Sequence, residues 1–459
     1  APPVANAAGM SPAQPSERAS AAPSAEAAPG ARLYRHLGAA VDIGTTTIAA
    51  VLYREGRAVG TMGAWNPQSV FGADVVSRME ASLEGKADKL AAIVREAVSH
   101  LLTELAEHAG EREEAIETVI ITGNTSMLYF LTQKDPRCLS RAPFEADELF
   151  GWWTTGEALD LRCRKADVYL PRCMSAFVGA DITTAILGSG LTETDCIPGT
   201  DGSRKEAAAA IDPNVSCRET DGVSAMHSGR ARMMVDVGTN GEIVLFHKER
   251  LICCATAAGP AFEGAGLSYG MRGVAGAIDH LSWENGSWKV HVIGDREAST
   301  AEGICGSGVI DGVAGLLESG LLEDTGYLEE DVCFAGNVGL TAADIREVQL
   351  AKGAIRAGME TLLAEEKMDA AGLEGLYVAG GFGSYMSAKS AERIGLFPKI
   401  DLSRIKICGN AALAGAVKIL HDRSMEKEAT ALAERAKTIN LGTSAKFQEF
   451  YMKYMMFDE

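Results

Sequence analysis

Two short stretches decide the fold of this chain: Asp42-Ile-Gly-Thr-Thr-Thr47 and Asp236-Val-Gly-Thr-Asn-Gly241. Each follows an apolar run and precedes a second one, which predicts a β-hairpin around each Asp-x-Gly-Thr sequence, and the return strand of the first hairpin is expected at 45–52. Glycine lets backbone N–H groups approach a phosphate with no Cβ in the way, and the threonines add hydroxyl donors. A carboxylate at a strand end can hold Mg²⁺ through its waters. The two stretches therefore predict two phosphate-binding hairpins.

Any strand followed by an Asp-Gly turn produces one such match, so a single copy is weak support and the alternative is an ordinary β-turn. Two copies at equivalent places in two α/β segments are stronger, and we expect them to clamp the β- and γ-phosphates of a nucleotide. We predict Asp42 and Asp236 as ligands of Mg²⁺. The predicted phosphate-binding residues are Asp42, Gly44, Thr45, Thr46, Thr47, Asp236, Gly238, Thr239 and Asn240.

A third glycine-rich loop, Val378-Ala-Gly-Gly-Phe-Gly383, follows another apolar run. A strand that enters a glycine turn can lay its backbone against an adenosine, so Gly380, Gly381 and Gly383 are predicted to bind that part of the nucleotide. The segment Ala258-Gly-Pro-Ala-Phe-Glu-Gly264 follows the second hairpin. We expect Gly259 to line the same cleft and Glu263 to reach Mg²⁺ or water there, although a packed glycine turn is the simpler reading.

Apolar spacing divides the chain into alternating strands and helices, which is the pattern of an α/β protein. Helices are predicted at 86–108 and 345–363, and the strand–loop–strand order of the first hairpin returns at the second as a weak internal duplication. The predicted divisions are a disordered Ala/Pro/Ser-rich linker (1–36), a first half (37–190), an inserted loop (191–230) and a second half (231–459).

Composition excludes several classes of protein. The net charge is 43 − 62 = −19, so nucleic acid is not an expected partner. No apolar run reaches the ~18 residues of a membrane span, and the chain opens without the pattern of a signal peptide. Ten cysteines are present, without zinc or iron–sulfur spacing, which indicates reduced thiols in a cytoplasmic protein and no iron–sulfur cluster in this chain.

The order of the three loops resembles the phosphate-1, phosphate-2 and adenosine motifs of the actin/Hsp70/sugar-kinase superfamily, over about residues 38–459. That resemblance implies a duplicated ribonuclease-H-like fold with ATP and Mg²⁺ in an interdomain cleft. The stretch from Ala180 to Gly190 resembles the segment that carries the catalytic Asp in glycerol-kinase-like enzymes. By that resemblance Asp181 is the catalytic base, whereas the simpler interpretation is an Asp that caps a helix.

A narrower resemblance rests on a set of short stretches. Together they are similar to the C-terminal ATPase domain of the reductive activators of corrinoid proteins, the family called RACo. The stretches are Asn66-Pro-Gln68, Phe71-Gly-Ala-Asp-Val-Val-Ser-Arg78, Gly123-Asn-Thr125, Ala258–Gly264, Gly303-Ile-Cys-Gly-Ser-Gly-Val-Ile-Asp311, Ala351-Lys-Gly-Ala-Ile-Arg356, Ile394-Gly-Leu-Phe-Pro398 and Gly409-Asn-Ala411.

The RACo resemblance implies an ATPase that accompanies reduction of Co(II) to Co(I) in a corrinoid methyl-transfer protein. It also implies a homodimer that docks this partner and takes electrons from an iron–sulfur module, often a plant-type [2Fe–2S] domain. The chain has no cluster motif at either end and does not begin with Met. We therefore expect the [2Fe–2S] module to lie upstream in a longer protein or on a separate one.

Three other functions stay open at this stage. They are a small-molecule kinase, a nucleotide-dependent interaction module without a redox role, and an activator like those of 2-hydroxyacyl-CoA dehydratases, with Cys254 and Cys305 at a [4Fe–4S] cluster. Two pairs at helical i,i+4 spacing, Asp74 with Arg78 and Lys352 with Arg356, have no assigned catalytic role. Solvated surface charges are the simple interpretation of the second pair.

Overall fold

A computed structural model describes residues 32–193, 231–294, 296–381 and 386–457. Most of the predicted linker, most of the predicted inserted loop and Gly383 of the third loop lie outside these residues. The division of the chain at residues 190 and 231 therefore stays a prediction.

The strands and helices alternate along the chain. The strands are β1 (Leu37–Ile43), β2 (Thr47–Arg54), β3 (Arg57–Trp65), β4 (Ile116–Gly123), β5 (Trp152–Thr155), β6 (Asp167–Leu170), β7 (Ala231–Val237), β8 (Gly241–His247), β9 (Arg250–Thr256), β10 (Ala277–Glu284), β11 (Ser287–Val292), β12 (Gly303–Ile304), β13 (Val332–Ala335), β14 (Val338–Leu340), β15 (Leu373–Ala379), β16 (Ile405–Gly409) and β17 (Lys437–Thr438). The α-helices are α1 (Val75–Ala81), α2 (Ala87–His108), α3 (Thr125–Thr132), α4 (Arg137–Ser140), α5 (Ala180–Ser189), α6 (Gly306–Ser319), α7 (Ala342–Glu365), α8 (Ala388–Arg393), α9 (Ala411–His421), α10 (Ser424–Arg435) and α11 (Ala445–Tyr454).

Two six-stranded sheets repeat one arrangement. The first has the order β3-β2-β1-β4-β6-β5 and the second the order β16-β15-β7-β8-β9-β17. In both, a central strand (β1 or β7) pairs antiparallel with a hairpin partner on one side and parallel with a later strand on the other. The predicted duplication of ribonuclease-H-like α/β halves is therefore confirmed.

Alternate residues along the central strands face different apolar cores, one on each side of the sheet. Helix α2 places one apolar face, including Val94, Val98 and Leu102, on the first sheet. Helix α7 covers one face of the second sheet, and α6 packs on β10 in the same apolar core. A third core fills the space between the halves, where side chains of both sheets meet α5 and α9. The two halves thus share a buried apolar interface.

Helices α5 and α9 cross in direct backbone contact within that interface. A Cβ on Gly188 would lie 2.1 Å from the carbonyl oxygen of Ala411, and one on Gly415 would lie 1.7 Å from that of Thr184. No larger residue fits at either glycine without moving a helix. Because α5 follows the strands of the first sheet and α9 follows β16, the crossing joins the two halves.

Element boundaries differ from the sequence prediction in places. The return strand of the first hairpin was expected from Thr45, but β2 begins at Thr47 because the Gly44 N–H donates to the Thr47 carbonyl (2.9 Å) and makes Thr45 and Thr46 part of the turn. Helix α7 is longer than predicted, since Thr341 and Asp344 form a capping box at its start. Within the described residues, no helix has the length and apolar content that a membrane crossing requires.

Lys352 and Arg356 are not surface charges. Both are buried, with exposed fractions of 1% and 4%. Lys352 Nζ donates to the carbonyl oxygen of Met456, and Arg356 Nη1 donates to that of Phe397 at 2.6 Å. The guanidinium of Arg356 also lies over the ring of Tyr454. These cations therefore hold the C-terminal segment against α7, a role that depends on partners far away in the chain and that no local pattern predicts.

Candidate nucleotide site

Two asparagines form hydrogen bonds to the first hairpin turn. Asn66 donates two hydrogen bonds to the turn. Its backbone N–H donates to the Thr46 carbonyl (2.9 Å), and its Nδ2 donates to the Gly44 carbonyl (2.8 Å). Asn124 Nδ2 donates to Thr45 Oγ1 at 3.1 Å. Two carbonyls of the turn are thereby satisfied by Asn66, and one hydroxyl accepts from Asn124. Both asparagines lie in the quoted family stretches, but their role as turn supports was not predicted.

The second hairpin turn packs against the two other predicted loops. Gly238 N–H donates to the Asn240 carbonyl (3.1 Å), and Gly259 N–H donates to the Thr239 carbonyl (3.0 Å). Gly380 has φ +96°, and a Cβ there would lie 2.7 Å from Asp236 Oδ1. The structure thus brings Gly259 and Gly380 to the Asp236 hairpin, as the sequence predicts.

Gly381 adjoins this site and has open space where a Cβ would lie. Gly383 lies outside the described residues, so the predicted adenosine loop is described only at its beginning. The loop follows β15, whose last residue Ala379 pairs with Asp236 of β7. Its backbone therefore starts beside the second hairpin.

Glu263 joins the two hairpin turns. Thr46 Oγ1 of the first turn donates to Glu263 Oε2 at 2.5 Å. Thr239 of the second turn donates to the same carboxylate twice, from its N–H to Oε1 and from its Oγ1 to Oε2, each at 2.9 Å. One carboxylate therefore accepts three hydrogen bonds from turns that belong to different halves.

Four further carboxylates face the same space. Burial is the main cause that raises the pKa of each: to about 6 for Asp42, to about 7 for Asp236, and well above the ordinary range for Asp181 and Glu242. Mutual repulsion adds to this, since Asp42 raises the pKa of Asp181 and of Asp236. The predicted residues Asp42, Asp181 and Asp236 are thus brought together.

Glu242 was missed by the sequence reasoning. It stands in β8, directly opposite Asp236 in β7, and is buried with an exposed fraction of 7%. Asp181 and Asp236 raise its pKa, and a hydrogen bond from the Asn240 side chain opposes that shift. The available signal was a glutamate inside an otherwise apolar strand, because such a charge is rarely buried without a partner or a function.

The carboxylate set fits a hard cation. Within the described residues, no group of three or more acidic, His or Cys side chains has metal-binding geometry. Mg²⁺ in nucleotide sites commonly uses one or two carboxylates and takes its other ligands from phosphates and water. A cation at Asp42 and Asp236 would also relieve the repulsion that raises the Asp236 pKa.

Two more contacts cross between the halves. Asn410, at the start of α9, donates from Nδ2 to Asp42 Oδ2 at 2.9 Å and accepts the Leu413 N–H at 2.8 Å. Arg272 of the second half lies over the ring of Trp65, the residue before Asn66. Two side chains of the second half therefore contact the first half beside the site.

The other side chains considered in the sequence analysis lie in helix turns or are buried. Asp74 caps α1 through Ser77 N–H (2.8 Å), and Arg78 is buried with its Nε donating to the Gly72 carbonyl (2.9 Å). Asp181 lies in the first turn of α5, although Gly179 is the capping position. Cys254 and Cys305 are buried free thiols, and Cys305 contacts Ser307.

Known sequences and structures match almost the whole described chain. Residues 37–194 match the RACo middle region, and residues 230–459 match the C-terminal domain of RACo, the ASKHA domain. The corrinoid activation enzyme RamQ of Eubacterium limosum is 30% identical over 92% of this chain and 70% of that protein.

Two further relatives have related names. The [Co(II) methylated amine-specific corrinoid protein] reductase of Methanosarcina barkeri is 32% identical over 48% of this chain and 45% of that protein. A solved structure of a reductive activator for corrinoid, iron–sulfur protein is 30% identical and superposes with a TM-score of 0.78, over 92% of this chain and 66% of that one. The chain thus spans about two thirds of the length of that structure.

Proposed function

The chain belongs to the RACo family, and we propose that it binds and hydrolyses ATP to drive reduction of Co(II) to Co(I) in a corrinoid methyl-transfer protein. The observation that carries the proposed ATP binding is that two Asp-x-Gly-Thr turns meet at one cleft. Both turns donate hydrogen bonds of 2.5–2.9 Å to the same carboxylate. Turns that hold an anion between them in this way have the donors that a polyphosphate requires.

Each predicted residue has a proposed task in the cleft. Gly44, Thr45, Thr46 and Thr47 of the first turn bind phosphate oxygens, as do Gly238, Thr239 and Asn240 of the second. Gly259, Gly380, Gly381 and Gly383 carry the backbone that borders the nucleoside. Asp42 and Asp236 hold Mg²⁺, which when bound neutralises charge on the β- and γ-phosphates.

We assign Asp181 the role of the base that orients or deprotonates the attacking water. Support comes from its position at the start of α5 and from a pKa that burial and the neighbouring Asp42 and Asp236 raise well above the ordinary range. A base with a raised pKa holds a proton more readily at neutral pH, which favours proton transfer. Cation binding at Asp42 and Asp236 would remove part of the repulsion and so lower the raised Asp181 pKa.

Replacing Asp42 or Asp236 by Ala is expected to reduce ATP turnover by roughly 100-fold or more, because the cation and the phosphates lose their shared partner. Phosphate release from ATP measures this directly. Asp324→Ala is the matched control, since Asp324 is exposed and its side chain has only a distant ion pair with Arg393. Turnover that persists in both Asp42→Ala and Asp236→Ala would refute the cleft assignment.

The redox partners are proposed from the relatives' names. The relatives act on corrinoid proteins, and we propose that this chain docks one as a homodimer in the cytoplasm. The described cysteines are free thiols, which suits a reducing compartment. We propose that electrons reach the corrinoid from an iron–sulfur module, a [2Fe–2S] domain of the same protein or of another.

The redox proposal has its own test. Anaerobic mixing of the chain, a Co(II) corrinoid protein, ATP and a reduced [2Fe–2S] donor should give the absorption of Co(I) only when all four are present. ATP replaced by a non-hydrolysable analogue is the control. Turnover of ATP that never changes the cobalt spectrum with any corrinoid protein would overturn this part and leave the ATPase assignment intact.

A further inference from the structure

Glu263 occupies the position where two phosphate-binding turns meet. Its carboxylate accepts hydrogen bonds from Thr46 Oγ1, Thr239 N–H and Thr239 Oγ1. It also lies against Gly238, since a Cβ built there would be 3.3 Å from Glu263 Oε1. The carboxylate therefore fills the space above the glycine that the fold leaves open for a phosphate.

The donors that hold Glu263 are those proposed to hold the nucleotide. Thr46 and Thr239 are the threonines of the two Asp-x-Gly-Thr turns. An N–H or hydroxyl donor that already bonds a carboxylate cannot bond a phosphate oxygen with the same hydrogen. A nucleotide phosphate that takes these donors consequently excludes this position of Glu263.

Two guanidinium groups and the Asp236 carboxylate, which Glu263 repels, lie near this position. Burial lowers the pKa of Arg78 and of Arg272, and the negative charge of Glu263 acts in the opposite direction on both. The Glu263 carboxylate therefore lies near two guanidinium groups. Arg78 belongs to the first half and Arg272 to the second, where it lies over Trp65 of the first. Glu263 is therefore the centre of a set of contacts that holds the halves together.

The backbone on either side of Glu263 is packed in place. Phe262 beside it is buried with an exposed fraction of 1%. Gly264 after it has φ +74°, and a Cβ there would lie 2.1 Å from the Met271 carbonyl. Displacement of the carboxylate thus requires rotation about side-chain bonds and no movement of the turn.

We propose that Glu263 is an internal anion that latches the empty cleft shut and that the terminal phosphate of the incoming nucleotide displaces it. This inference rests on the proposed binding of ATP. The latch makes nucleotide entry compete with an intramolecular carboxylate, so the empty protein is held closed and ATP affinity is lowered. Displacement frees the Glu263 carboxylate, and the phosphate replaces it as the bridge between the turns.

Glu263→Gln tests the latch, because the amide keeps the size of the side chain, loses its charge and presents N–H groups to N–H and O–H donors. We expect the Kd for ATP, measured by calorimetry with the whole chain and Mg²⁺, to fall roughly 10-fold, the size of a lost charge-assisted hydrogen bond. Glu284→Gln is the matched control, an exposed glutamate on β10 whose carboxylate accepts a hydrogen bond from Ser282.

Hydrogen exchange of the empty protein supplies a second measurement. The Thr239 N–H should exchange faster in Glu263→Gln than in the natural chain, since its acceptor is lost. If Glu263→Gln does not fold, Glu263→Asp replaces it, because the shorter side chain cannot reach both turns. Unchanged or weaker ATP binding in the folded variant overturns the latch, whereas a natural chain that binds no ATP overturns the proposed function instead.

Discussion

At the scale of single residues, His421 shows how contact between the halves sets a pKa. Its Nε2 lies 2.9 Å from the Tyr34 hydroxyl, and its ring meets Tyr53 edge-on at 4.4 Å. Burial, and after it the charge of Arg32, lowers the pKa of this imidazole from 6.5 to about 4. The folded protein therefore holds His421 neutral where the unfolded chain is protonated.

The His421 ring should consequently contribute a loss of stability in mild acid. The lowered pKa means that the unfolded state binds more protons between pH 6.5 and 4, so stability is full above this window and is lost as pH falls through it. We expect the natural chain to lose about 1–2 kcal/mol more than His421→Gln between pH 7.5 and pH 5, after allowance for the part-exposed ring. Urea unfolding at both pH values measures the difference.

His100→Gln is the control for that experiment, since His100 is 60% exposed and pairs only with Glu104 at 3.6 Å. It should follow the natural chain at both pH values. Equal acid losses in His421→Gln and the natural chain would show that another group dominates the response.

The residues of the candidate site differ in how far the sequence predicted them. Asp42 and Asp236 were found because each stands in a local pattern that repeats. Glu242, Asn410 and the support by Asn66 were not, because their roles depend on partners far away in the chain. The Asn410–Asp42 hydrogen bond joins residues 368 positions apart, which no local pattern reveals.

At the scale of elements, the crossing of α5 and α9 has no room for a side chain. Gly415→Ala would place a Cβ 1.7 Å from the Thr184 carbonyl and force the helices apart. We expect a loss of about 1–3 kcal/mol or more in the free energy of unfolding, because a packed interface cannot absorb an added methyl. Thermal unfolding should show a lower Tm.

The control is the same substitution where space exists. In Gly273→Ala the new Cβ meets only Ile293 Cδ1, at 3.8 Å. A Tm for Gly415→Ala that matches Gly273→Ala would contradict the close contact of the two helices. ATP turnover of a folded Gly415→Ala protein would also report whether the crossing transmits strain to the cleft.

The elements themselves were predicted well where they are long and periodic. The apolar spacing of 86–108 and 345–363 located α2 and α7 to within a few residues. The start of β2 was wrong because turn hydrogen bonds, and not apolar alternation, decide where a hairpin strand begins. The small sheet of β10, β11 and β12 was not predicted at all, because its short strands carry mixed polarity.

At the scale of the whole molecule, the C-terminal segment is part of the second half's core. Helix α11 packs on α7, Phe457 is buried, and Lys352 depends on the Met456 carbonyl. Deleting residues 445–459 should cost about 3–5 kcal/mol, because it uncovers the apolar surface of α7 and removes Phe457 from the core. Chemical unfolding of the shortened chain measures this loss.

A second substitution separates charge from lost packing. Lys352→Met in the shortened chain should recover part of the loss, since the apolar side chain needs no acceptor. The same substitution in the full chain completes a double-mutant cycle and should be neutral or mildly destabilising. No recovery in the shortened chain would mean that packing alone explains the effect.

The helix crossing described above also has a consequence for synthesis on the ribosome. Helix α5 is complete at residue 189, but the helix that covers it, α9, is complete only at residue 421. At ~5–20 residues per second, the apolar side of α5 waits roughly 10–50 s for its partner. The nascent first half therefore carries an uncovered surface for most of translation, and we expect that stretch to be the one on which chaperones act.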